Sequence, residues 1–144
     1  MKRNAGFTLI ELMIVVEIIA VIAALAVPNY LRTRLQSNEA SAVGNLHAVL
    51  DAQMSFNNVH LRYAANFDEL TSPNPPFLSG EWGGPRAGYQ FTFESDGTTF
   101  AAHATPVDYG NTGYHSFFVD PSGVIRYQGM AAASADSPPL GGAG

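Results

Sequence analysis

The sequence predicts an α+β chain in which one long amino-terminal helix packs its second half on a four-stranded antiparallel sheet. Three observations carry this. Between Leu31 and Phe56, apolar residues recur mostly every third or fourth position, the repeat of an amphipathic helix. From Tyr89 onward, Tyr89, Phe91 and Phe93 alternate with Gln90, Thr92 and Glu94, the period of a strand with one buried face. The strand-like runs are separated by turn signals, Asp96-Gly97 and Asp120-Pro121-Ser122-Gly123, which a meander requires.

The first element begins as an apolar stretch. From Phe7 to Val27 only Thr8, Glu11 and Glu17 are polar, and the stretch would reach about 32 Å as a helix, close to the hydrocarbon thickness of a bilayer. Lys2 and Arg3 precede it and nothing basic follows until Arg32, which places the amino terminus in the cytoplasm and the remainder outside. A secretory signal peptide or a simple anchor has similar hydropathy. A signal peptide, however, carries its small-residue cleavage site after the apolar core, and here Ala5-Gly6 lies before it. A simple tether has no use for two carboxyl groups at membrane depth, where unpaired charge is costly.

The run Gly6-Phe7-Thr8-Leu9-Ile10-Glu11-Leu12-Met13 resembles the processing motif of type IV prepilins and type II secretion pseudopilins. The resemblance implies the pilin fold, cleavage by a prepilin peptidase after Gly6, and methylation of the new terminal amine at Phe7. It also implies that Glu11 pairs with the terminal amine of a neighbouring subunit during assembly. Charge energetics agree: an amine at Phe7 and a carboxylate at Glu11 are four residues apart, on one side of a first helical turn, and a second subunit can satisfy both. Glu11 could instead be satisfied within its own chain, and the two arrangements can coexist before assembly.

Glu17 departs from the family pattern, which is apolar at the matching place. Six residues beyond Glu11, its side chain diverges by about 120° around the helix. Either it contacts a different neighbouring helix or a membrane assembly partner, or it is a neutral carboxyl bonded to a backbone carbonyl. Pro28 lacks an amide proton and collides with the Ala24 carbonyl, so a helix break is expected there. The resemblance suggests local extension over residues 20–27 once the subunit leaves the membrane, and a simple kink is the alternative.

Beyond Pro28, Leu31, Leu35, Ala42, Leu46, Val49, Leu50, Met54 and Phe56 form the apolar stripe, and the helix as a whole is expected from about Phe7 to Asn57, with Asn57-Asn58 as its stop. Residues 59–88 read as connecting structure with a short helical turn at 66–70. Strands are expected near 89–94, 99–105, 116–120 and 124–128. The segments Gly88 to Phe93, Ala104 to Pro106 and Phe117 to Arg126 also resemble the head of a cysteine-free bacterial pilin group. The expected organisation is a cleaved leader at 1–6, a transmembrane and assembly helix at 7–28, a head at 29–128, and a flexible tail at 129–144, rich in Ala, Gly, Ser and Pro.

Composition narrows the function. Net charge is −5, and loss of Lys2 and Arg3 with the leader would take it to −7, so no dedicated nucleic-acid site is evident. The absence of cysteine excludes disulfides and thiolate chemistry. His47, His60, His103 and His115 show no metal-ligand spacing, and no P-loop, dinucleotide fingerprint or nucleophile elbow occurs. Neither a cofactor nor a metal is expected, although Asp108 and Asp120 are scattered candidates for a calcium loop. The aromatic residues fit core packing better than electron conduction.

The expectation is a non-catalytic homo-oligomeric filament subunit of a type IV pilus. Its partners would be prepilin peptidase, inner-membrane assembly machinery and, before assembly, the membrane, with later placement in an extracellular pilus. The alternatives are a pseudopilin of a periplasmic type II secretion pseudopilus and a membrane-anchored sensor or enzyme.

Overall fold

The computed structural model of the chain describes residues 6–142. Its elements are α1 (Leu9–His60), α2 (Phe67–Thr71), β1 (Tyr89–Ser95), β2 (Phe100–Pro106), β3 (His115–Val119) and β4 (Arg126–Gly129). The strands form one antiparallel sheet in the order β1-β2-β3-β4, the expected meander. The chain divides into two compact units, residues up to Arg34 and residues from Leu35 onward. That boundary lies beyond the one expected at Pro28.

In the first unit α1 is apolar and uncovered. Every residue from Gly6 to Arg34 is exposed, and the most apolar 18-residue window of the helix has a mean hydropathy of 2.7. That length and apolarity suffice to cross a membrane. α1 is helical on both sides of Pro28 without interruption, so residues 20–27 are helical and not extended in the isolated chain. Proline deletes one amide donor, and the hydrogen bonds of the adjoining turns carry the helix past it.

In the second unit the helix turns amphipathic because Ala42, Leu46, Val49, Leu50, Ala52 and Phe56 recur on one face, and all are buried. They meet Tyr89 and Phe91 of β1, Phe100, Ala102 and Ala104 of β2, and Phe117 and Val119 of β3 in one core. Met54, expected in the stripe, is 40% exposed. Gln53 takes a buried place instead: its Nε2 donates to the Ala64 carbonyl (3.1 Å) and its Oε1 accepts from the Ala64 amide (2.9 Å). This clamp holds the chain beyond the helix end. The helix therefore runs to His60, past the expected stop at Asn57-Asn58, and Leu61 turns the chain with φ 56°.

Local chemistry explains the smaller elements. Asn66 caps α2 by accepting from the Glu69 amide (3.0 Å). Asp96 Oδ1 accepts from the amides of Thr98 and Thr99 (both 2.8 Å), closing the β1–β2 hairpin around Gly97. β4 begins two residues later than expected because the turn takes Val124 and the Ile125 carbonyl accepts from the Leu140 amide (2.7 Å).

The tail differs most from expectation. Through Gly142 it packs against the head: the Tyr127 amide donates to the Pro138 carbonyl (3.0 Å), Arg126 Nη1 donates to the Ser137 carbonyl (2.9 Å), and Ala133 is buried. Ser116 Oγ accepts from the Ala133 amide (2.7 Å) and donates to the Ala131 carbonyl. These bonds cover the second face of β3 and the outer edge of β4. They explain why Ser116 is buried on the face of β3 turned away from the core, where a one-sided strand would leave it open.

Candidate assembly site

The residues singled out in the motif meet at the start of α1. Thr8 is the last non-helical residue before Leu9, and Glu11 lies in the first turn. Glu11 Oε2 accepts from the Thr8 amide and from Thr8 Oγ1 (both 2.8 Å), while Thr8 Oγ1 accepts from the Glu11 amide (3.3 Å). Threonine followed three residues later by glutamate thus forms a reciprocal capping box that satisfies amides otherwise left without partners. Phe7 precedes the helix, and behind Gly6 its nitrogen is a peptide amide and not the free amine expected to pair with Glu11. The carboxylate has instead found its partner inside its own chain, and its second oxygen remains open.

Gly6 is exposed, has ordinary backbone φ, and nothing lies within 4 Å of where a Cβ would stand. The fold therefore makes no demand for glycine at this position. Glu17 is exposed on α1 and has neither a hydrogen bond nor an ion pair among the described residues. Lys2 and Arg3, on which the orientation argument rests, lie outside the described residues.

The head contains a polar clasp that sequence reasoning missed. Glu39 Oε1 accepts from the amides of Tyr114 (2.8 Å) and His115 (3.1 Å), and His115 Nδ1 lies 3.2 Å from both carboxylate oxygens. One residue earlier, Asn38 Nδ2 donates to the Thr112 carbonyl (2.8 Å). Tyr89 Oη donates to the His115 carbonyl (2.7 Å), and burial, with smaller contributions from Glu39 and Tyr109, pushes its phenol well above the ordinary range. The clasp fixes the β2–β3 connection on the helix. The available signal is a pair of polar residues just before the buried stripe, indistinguishable in sequence from a solvated face.

The four histidines lie apart, His47 and His60 on α1, His103 on β2 and His115 on β3. Among the described residues, no group of three or more His, Asp or Glu side chains is placed to hold a metal ion. Asp108 and Asp120 serve local turns, through Asn111 Nδ2 (2.6 Å) and the Ser122 amide (2.9 Å) respectively.

An apolar, capped, uncovered helix continuing into an α+β head defines a class of protein with a membrane-anchor type of helix and a separate folded body. Comparison with known proteins narrows the class. A family model described as the prokaryotic N-terminal methylation motif matches residues 1–27. The chain is 47% identical over 68 residues, or 47% of its length, to the type IV major pilin protein PilA of Myxococcus xanthus, of which it spans only 31%. It is 32% identical over 103 residues, 72% of its length and 82% of the relative's, to the type IV narrow pilus major component PilA5 of Thermus thermophilus. It is also 35% identical over 63 residues, 44% of its length and 45% of the relative's, to the type II secretion system core protein G of Klebsiella pneumoniae. No solved structure matches the chain. The chain belongs to the type IV pilin family.

Proposed function

We propose that this chain is a non-catalytic structural subunit that polymerises into a type IV pilus after removal of residues 1–6. The observation that carries the reading is the stretch from Gly6 to Val27, exposed throughout, whose apolar helix carries two carboxyl groups. Lipid would cover it first and copies of itself afterwards. A glycine at position 6 that the fold does not require is explained by a processing enzyme that reads it, and methylation would follow at Phe7.

Glu11 has a role at both stages. In the membrane, the capping box with Thr8 satisfies its Oε2. In the filament, the open oxygen would receive the Phe7 amine of a neighbouring subunit. The segment before Pro28 is proposed to extend only in that assembled state, since the isolated chain is helical there. The proposed orientation has the amino terminus in the cytoplasm and the head outside.

The match covering 82% of a narrow pilus component favours a surface pilus over a secretion pseudopilus. Deleting the chain should remove surface filaments, and Glu11→Ala should leave processed subunits stranded in the membrane. Immunogold label confined to the envelope of filament-bearing cells would instead favour the pseudopilus. Filaments of normal number and length from Glu11→Ala subunits would contradict the pairing role.

A further inference from the structure

Glu17 is the midpoint of the apolar stretch from Phe7 to Val27. Its carboxyl is unpartnered among the described residues, whereas that of Glu11 is engaged by Thr8. Its own helix offers no side-chain donor, because the positions three and four residues away, Met13, Ile14, Ala20 and Val21, are all apolar. A side chain able to satisfy it comes from outside the chain and lies at the same depth in the membrane.

We propose that two parallel copies of this chain pair in the membrane through the Glu17 face, with each Glu17 carboxyl hydrogen-bonded to its twin. The inference rests on the membrane reading above. Identical chains inserted in one direction hold Glu17 at one depth, so the hydrogen-bonding group level with a Glu17 is the Glu17 of a neighbour. A carboxylic O–H of one copy donates to a carboxyl oxygen of the other, the pair holding at least one proton. The same face permits close approach. Beyond Glu17, Ala20 and Ala24 lie within about 60° and 20° of it around the helix, with Val21 between them in sequence, while Val15, Ile19 and Ile22 lie on the opposite side; before it, the same face carries Ile10, Met13 and Ile14. Small residues spaced by four let helices in lipid come close enough to hydrogen-bond. Glu11 lies about 120° away and stays available for the filament contact. The pair is thus a membrane-stage species that precedes polymerisation.

The chain has no cysteine, so single cysteines can report the contact. The test uses the full-length chain carrying Ala24→Cys, or Ala26→Cys on the opposite face, in membranes of cells without prepilin peptidase, with oxidative cross-linking read on non-reducing gels. Dimer is expected to be several-fold stronger for Ala24→Cys than for Ala26→Cys. Adding Glu17→Leu should lower it about fivefold or more, and adding Glu17→Gln should preserve it, since the amide hydrogen-bonds to its twin at the same depth. Undiminished cross-linking with Glu17→Leu, or loss with Glu17→Gln equal to that with Glu17→Leu, would overturn the proposal. Alkaline carbonate extraction separates its failure from that of the membrane reading: a chain that stays in the membrane and does not cross-link refutes the pair alone, while a chain released by carbonate refutes the span and the pair with it.

Discussion

Among the glycines of the head, Gly113 leaves the least room for a side chain. A Cβ there would stand 2.0 Å from Tyr89 Oη, and Tyr89 is held by its bond to the His115 carbonyl and by full burial. Gly113→Ala should therefore cost about 3 kcal/mol, the upper range of overpacking, and lower the Tm of the full chain in detergent by roughly 10 °C. Gln53 makes the opposite kind of demand, because its amide is the partner of both backbone groups of Ala64. Gln53→Leu fits the apolar face but strands a buried donor and acceptor. A loss of about 2 kcal/mol is expected in chemical denaturation, and a neutral result would refute the clamp. Neither role is legible in the sequence. Gln53 differs from a solvated glutamine only by its spacing, three residues from Leu50 and from Phe56, and Gly113 stands beside a loop whose partner is 24 residues earlier.

The elements are legible where a periodic pattern meets one buried face. The stripe of α1 and the alternation of β1 follow from burial on one side, and the hairpin at Asp96-Gly97 from side-chain capping. The tail, expected to be flexible, is packed because backbone hydrogen bonds hold it, and composition does not encode those. Ending the chain after Gly129 should expose the outer edge of β4 and the second face of β3, destabilising the head by about 2 to 4 kcal/mol and accelerating proteolysis. Unchanged protease resistance would contradict the packed tail.

Acid should act on the elements too. The side-chain bond from Arg62 and the Ala65 amide hold Glu69 below the usual carboxylate range, and the amides of Thr99 and Thr98 do the same for Asp96. Depressed carboxylates contribute stability that is present above their unfolded pKa, about 4, and lost as pH falls through the lower folded values. Head Tm should therefore decline below about pH 4. Glu69→Gln and Asp96→Asn should flatten that decline, and an identical acid profile in the double variant would exclude these two groups as its source.

At the scale of the whole molecule, the chain joins two opposed demands. Its head buries a core against the sheet, while residues 6–34 expose an apolar helix that water does not favour. The second demand is legible from the motif alone, since Gly6, Phe7 and Glu11 are consecutive in meaning as well as nearly so in sequence. How Glu11 is satisfied within a single chain is not, because the capping box depends on the helix beginning at Leu9. In the proposed assembly pathway, the capped state would let this carboxylate wait in the membrane.

Mass spectrometry of filaments sheared from the cell surface distinguishes a processed assembled subunit from an unprocessed one. The expected filament consists mainly of a subunit that begins at an N-methylated Phe7. Assembled subunits that retain Met1 through Gly6 would contradict that expectation.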